Sequence, residues 1–274
     1  MCRPCAAHPS RRAFLLLAGA AATGAALAQV DVGPPSSARS LVPAQELETA
    51  ANQQYRELME EARAKRVLAP ENDPELRRLR AISSRLIVDA PRWNDRARQW
   101  RWEVNLIHSD QVNAFCMPGG KIAVFTGLLD KLKLTDDEVA MVLGHEIAHA
   151  LREHARERVA KSQVTGTVLS LGAQLFGLGQ WGDVAANLGT QLLTLKFSRD
   201  DETEADLVGL ELGARAGFRP EASVSLWEKM GRASGSSGGL AFLSTHPTGP
   251  DRMQRLEQNI PRVQGLYEQA HQRR

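Results

Sequence analysis

The 274-residue chain carries 34 Lys and Arg against 32 Asp and Glu, for a formal net charge of +2, a length that suits one ordinary domain or two small ones. The first 28 residues hold Arg3, Arg11 and Arg12 and no acid, which leaves 31 basic against 32 acidic side chains in the remainder. That balance offers no surplus for a phosphate-binding surface and argues against nucleic acid as a partner. Cys2 and Cys5 fall in this leader and leave Cys116 alone, which excludes a disulfide framework and a cysteine-rich zinc site.

Residues 1–28 read as an export signal. A basic start ends in Ser10-Arg11-Arg12-Ala13-Phe14-Leu15, an uncharged apolar run follows, and Ala26-Leu27-Ala28 supplies small residues for cleavage before Gln29. Ser-Arg-Arg-x-Phe-Leu resembles the twin-arginine signature of bacterial export, with an ordinary secretory signal as the alternative. The expected location is therefore periplasmic or otherwise exported. Residues 29–45 read as a Pro/Ser linker, and 46–265 as one domain, with N-terminal helices over 46–90 and a core over 100–260. Residues 266–274 are left as a tail.

The apolar spacing predicts a helix over 46–65 and another over 74–88, separated by Pro70 and Pro74. Strand-forming residues then dominate over 102–108, 111–117 and 121–125, with Pro118-Gly119-Gly120 as a tight turn, which predicts a small antiparallel sheet. A short helix is expected over 126–132. Thr135-Asp136-Asp137-Glu138 reads as a capping box opening a helix that runs past His154 to about Lys161. Residues 162–182 are uncharged, yet rich in Gly, Gln, Thr and Ser. They suit a helical hairpin over the site, or peripheral membrane association, better than a membrane span. An acidic cluster over 200–206 opens a further helix to about Ala216, and Gly231–Gly239 is Gly/Ser-rich. The fold class is α+β, mainly helical.

His145-Glu146-Ile147-Ala148-His149 carries the chemistry. Residues four apart share one helix face, so His145 and His149 can offer two imidazole nitrogens to one metal. Glu146 lies where its carboxylate can act as general base on a metal-activated water, the arrangement of a zinc hydrolase. A third ligand must come from elsewhere. Glu202 and Asp206 are four apart, so one can bind metal while the other orients a ligating His. Spacing alone does not choose between Glu202 and Glu204.

His145-Glu-x-x-His149 with Ser198-Arg199-x-x-Glu202-x-Glu204-Ala205-Asp206 resembles the zinc metallopeptidases of the CAAX-prenyl-protease/HtpX family, which are gluzincins. Asn113-Ala114-Phe115, Pro118-Gly119-Gly120 and Thr126-Gly127-Leu128-Leu129 resemble that family's preceding strand-and-helix block. Ser244-Thr245-His246-Pro247 with Arg252 resembles its C-terminal element. The likeness is nearest to the exported BepA-like branch, without that branch's tetratricopeptide repeats. The resemblance implies a zincin-like domain with one Zn2+ per chain on His145, His149 and Glu202, Glu146 as base and Asp206 behind the ligands. His246 is implied near the open coordination position, where it can be a fourth ligand that shuts the site, and the Gly/Ser-rich Gly231–Gly239 suits a swing of its segment. In the reaction itself either His246 or Arg252 is expected to stabilise the oxyanion. Asn113, Ala114 and Phe115 are expected to be a free strand edge that pairs with extended substrate. The implied activity is zinc-dependent endopeptidase cleavage of misfolded or unassembled envelope proteins. A chaperone or binding module that keeps zinc but cleaves weakly is the competing reading.

Overall fold

The computed structural model describes residues 30–164, 195–236, 241–246 and 249–273. The leader, and most of the uncharged segment expected to form a hairpin, lie outside these residues. Among the described residues no helix is long and apolar enough to cross a membrane.

The elements are α1 (Ala44–Ala64), α2 (Pro74–Ile87), β1 (Glu103–Ile107), β2 (Ala114–Met117), β3 (Lys121–Phe125), α3 (Thr126–Leu132), α4 (Asp136–Leu151) and α5 (His154–Val164), then α6 (Arg199–Arg215), α7 (Ala222–Ser236), α8 (Ala241–Thr245) and α9 (Pro250–Gln272). Local chemistry sets several starts. Asp73 accepts from the Leu76 amide ahead of Pro74 in α2, where a proline's missing N–H costs nothing. Thr135 and Glu138 form the expected capping box of α4, and Ser198 with Asp201 forms a second one at α6.

Strand alternation splits the small sheet between two layers. Ala114, Val104, Leu106, Ile122 and Val124 pack into the main core with α2 and α4. Ile107, Met117 and Ala123 pack instead against Ala51, Tyr55 and Met59 of α1. The Tyr55 hydroxyl donates to the Ile122 carbonyl at 2.5 Å, pinning α1 to the sheet.

The order is β1-β3-β2, and β2 pairs antiparallel with β3 through the expected turn. β1, however, runs parallel to β3, so the sheet is mixed where a wholly antiparallel one was expected. The connection after Ile107 explains this. It passes across the start of α3, so close that a Cβ on Gly127 would lie 2.5 Å from the Asp110 carbonyl. It therefore delivers β2 to the far side of β3 instead of folding back beside β1.

A second departure concerns the helix carrying the metal motif, which ends at Leu151. Glu153 takes a left-handed φ of 58°, and α5 starts in a new direction at His154. Ion pairs from the Glu153 carboxylate to Arg39 and Arg156 hold the break. Residues 30–42 lie against the body: Val30 is buried and its amide donates to Glu211 Oε2 at 2.6 Å. The Gly/Ser-rich stretch is helical as far as Ser236, because α7 buries Leu226, Trp227 and Met230. At the C-terminus, α9 continues to Gln272 with Leu266 buried.

Candidate metal centre

Every residue of α4 from Glu138 to Leu151 is buried, so the helix passes through the centre of the molecule. α6 crosses it with glycine on both sides. A Cβ on Gly209 would come within 2.7 Å of the His145 amide nitrogen, and one on Gly144 within 2.9 Å of the Gly209 carbonyl. Two glycines thus let the backbones touch. That contact brings Glu202 and Asp206 of α6 beside His145.

His145, His149, Glu202 and His246 converge, with one donor atom from each lying within 4.8 Å of the others. His145 Nε2 is 3.1 Å from His149 Nε2 and 3.4 Å from His246 Nδ1. Glu202 places Oε2 3.5 Å from His145 Nε2, and Oε1 3.5 Å from His149 Nε2 and 3.0 Å from His246 Nδ1. A tetrahedral zinc with bonds of ~2.0–2.1 Å separates its donors by roughly 3.3–3.4 Å. The spacing and the nitrogen-and-oxygen chemistry of these side chains therefore fit zinc.

Partners behind the cluster fix its orientation. Asp206 Oδ1 lies 3.1 Å from His145 Nδ1. Arg252 grips both Asp206 oxygens, from Nε and Nη2, each at 2.7 Å, and its Nη1 lies 2.7 Å from Glu202 Oε2. Its guanidinium also stacks on Trp227, 3.8 Å from the ring centroid. On the other flank, His149 Nδ1 faces His154 Nδ1 at 2.9 Å. His154 Nε2 lies 3.3 Å from Glu204 Oε2, to which Arg152 Nε also donates at 2.7 Å.

The protonation balance follows from burial set against these partners. Burial pushes His145 down, but Asp206 and Glu202 outweigh it and raise its pKa to about 9. Burial dominates at His149 and holds it well below its ordinary value. Glu202 is driven far below the carboxylate range: burial opposes ionisation, and the three surrounding histidines overcome it. Asp206 is lowered against its burial chiefly by Arg252. Glu146 goes the other way, raised by burial although His246 and His145 pull it down.

Glu146 projects beside the cluster, its Oε1 3.5 Å from His246 Nε2 and without a hydrogen-bond partner. It lines a cleft with His149, His246 and Phe197, and with Asn113, Ala114 and Phe115 along the rim strand. Among the described residues β2 pairs only with β3, so its outer edge is unpaired. His246 is sandwiched between Phe242 (centroids 4.4 Å apart, planes at 22°) and Phe197 (5.3 Å, 30°). Cys116 also lines the cleft. Burial pushes its thiol well above the ordinary value, with Glu146 adding to the effect, which disfavours the thiolate.

The structure thus brings together His145, Glu146, His149, Glu202, Asp206 and His246, with the rim strand alongside. Arg252 departs from the expected role as an oxyanion stabiliser. It is absent from the cleft lining, and all three guanidinium nitrogens face the carboxylates of Asp206 and Glu202. It stands behind the donors, not opposite them. His154, Phe197, Trp227 and Phe242 also pack around the donors, and none of them belongs to the motifs read from the sequence. A third histidine five residues after the motif was the signal for His154. On a continuous helix, though, it would point about 140° away from His149.

A buried helix-borne His/Glu cluster on an unpaired strand edge is the layout of a zincin-like metallopeptidase domain. Residues 75–260 match Peptidase family M48, and the chain belongs to that family, whose members use zinc. The chain is 41% identical over 166 residues to the mitochondrial metalloendopeptidase OMA1 of Schizosaccharomyces pombe, covering 60% of this chain and 48% of that protein. It is 29% identical over 212 residues to the metalloprotease LoiP of Escherichia coli K12, covering 73% and 77%. It is 31% identical over 157 residues to the beta-barrel assembly-enhancing protease of the same bacterium, covering 54% and 32%. The chain spans about half the length, or less, of the OMA1 relatives it matches.

Proposed function

We propose that this chain is a zinc-dependent endopeptidase that cleaves misfolded or unassembled proteins in the bacterial cell envelope. The observation that carries the reading is a buried carboxylate oxygen without a hydrogen-bond partner, Glu146 Oε1, set beside a zinc-sized donor cluster in the cleft. His145, His149 and Glu202 would hold the metal, one per chain. Zinc, when bound, supplies Lewis acidity toward a peptide carbonyl and its attacking water.

The chain's own residues do the rest. Glu146, its proton affinity raised by burial, takes a proton at Oε1 from the attacking water and returns it to the leaving nitrogen. The unpaired edge at Asn113–Phe115 aligns an extended substrate by backbone hydrogen bonds. That mode selects unfolded chain over particular side chains. Arg252 positions Asp206 and Glu202. His246 acts as a fourth donor that shuts the site, a reading supported by the 3.0 Å approach of its Nδ1 to Glu202. The export-type leader and the likeness to LoiP and the beta-barrel assembly-enhancing protease support an exported, periplasmic setting. The likeness extends to OMA1 as well, so we place the chain in M48 broadly and not within the BepA-like branch alone.

Glu146→Gln tests the assignment. The variant is expected to keep stoichiometric zinc and lose casein cleavage, while chelator abolishes and added zinc restores cleavage by the native chain. Casein cleavage unchanged by Glu146→Gln would sink the proposal and favour a zinc-retaining binding module.

A further inference from the structure

We propose that His154 is a positioning residue for the metal ligand His149, with its own tautomer set by Glu204. The inference rests on the metal reading above and adds residues to which that reading gives no role. Its basis is a contact between two like atoms: Nδ1 of His149 and Nδ1 of His154 are 2.9 Å apart, a hydrogen-bond distance. One of them must carry a proton and the other must not. His149 turns Nε2 toward the cluster, where it must offer a lone pair, so its own proton sits on Nδ1. His149 therefore donates and His154 accepts at Nδ1. The proton of His154 then lies on Nε2, directed at Glu204 Oε2 3.3 Å away. Arg152 Nε donates to that same oxygen at 2.7 Å, and its Nη2 donates to the Gly33 carbonyl at 3.0 Å, so the chain of donors and acceptors closes without conflict.

Two features mark this as a built arrangement. His154 is only 1% exposed, so no water substitutes for its contacts. The backbone break at Glu153, with φ of 58°, is what turns His154 back onto His149, since a continuous helix would point it elsewhere. The two ligating histidines are thus oriented by different chemistry: His145 by a carboxylate directly, and His149 by a neutral imidazole that a carboxylate orients in turn. Such outer partners fix ring orientation and ligand basicity.

The test is zinc affinity of the full chain, measured by competition with a chromophoric chelator, with circular dichroism to report folding. An asparagine amide reaches the place of the imidazole Nδ1, and a glutamine amide that of Nε2. His154→Asn therefore keeps an acceptor facing His149, and His154→Gln and His154→Phe do not. We expect His154→Phe and His154→Gln to weaken zinc binding about 10–100-fold, and His154→Asn to recover all but a few-fold of it. Long-range proton–nitrogen spectra should find the protons on His149 Nδ1 and His154 Nε2. Wild-type affinity in folded His154→Gln, or no recovery in His154→Asn, overturns the proposal. If the phenylalanine variant does not fold, the Asn/Gln pair decides alone. A native chain that binds no zinc at all would instead overturn the metal reading beneath it.

Discussion

On one side of the donor cluster, α4 and α6 meet backbone to backbone at Gly144 and Gly209, and Arg252 ties Asp206 and Glu202 together from behind. On the other, His246 arrives at the end of the five-residue helix α8, held by stacking on Phe242 and Phe197 and by its approach to Glu202. The first side is locked by steric contact and buried charge, which leave the donors no alternative position. The second is held by ring stacking, individually worth about 0.5–1.5 kcal/mol beyond burial. Under the proposed function, a site built this way would keep its metal-holding half fixed while His246, as fourth donor, gave way to substrate.

The largest effect should come from breaking the charge lock. Arg252→Met leaves Glu202 and Asp206 buried with only the neighbouring histidines to balance them, and removing one partner of a buried pair typically costs about 3–5 kcal/mol. We expect urea denaturation of the zinc-free variant to show a loss of that size. Added zinc should restore part of it, because a bound cation would neutralise Glu202. A loss below about 1 kcal/mol would mean that the carboxylates find another partner. Next is the steric lock. Gly209→Ala drives a methyl into the His145 backbone at 2.7 Å. Over-packing of this kind costs about 1–3 kcal/mol, and here it should also weaken zinc binding, because separating the helices separates the donors they carry. Stability lost with zinc affinity unchanged would show that the crossing does not set the site.

Against these, His246→Ala should lower stability only modestly, by about 1 kcal/mol for its lost ring contacts, and raise basal casein cleavage by about threefold to tenfold, equivalent to roughly 0.7–1.4 kcal/mol. A fall in cleavage with zinc retained would assign His246 to catalysis instead of closure.

The same contrast explains what was legible in the sequence. His145, Glu146 and His149 were readable because one helix sets their spacing; four-residue spacing put Glu202 and Asp206 on one face of a second helix, but only the family resemblance chose Glu202 over Glu204. The capping box at Thr135 is equally local. Contacts bridging distant segments left no such trace. The role of Arg252 depends on the approach of α9 to α6, 46 residues away from Asp206 in sequence. His154 depends on a left-handed backbone at a glutamate, where glycine would have announced the turn. The direction of β1 turned on which side of β3 a short connection passes, and strand composition carries no information about that.

The smallest expected effect sharpens the comparison through pH. Glu138 belongs to the locked side. Its side chain accepts from the Thr135 amide at 2.8 Å, from the Ser225 hydroxyl at 2.9 Å and from Lys229 Nζ at 2.7 Å, joining α4 to α7. Burial resists its ionisation, but Lys229, Thr135 and Ser225 prevail and hold its pKa below the ordinary carboxylate value. A carboxyl depressed on folding contributes stability that is present above the unfolded value, about 4.3, and is lost as pH falls through the folded one. Glu138→Gln should therefore cost about 0.5 kcal/mol at neutral pH, in line with a partly buried ion pair. In urea titrations that difference from the native chain should close as pH drops below about 4. The His246 side, held mainly by stacked rings, should show no matching loss when Phe242→Leu is titrated in parallel. A difference at Glu138 that persists into acid would mean its hydrogen bonds, and not its charge, join the two helices.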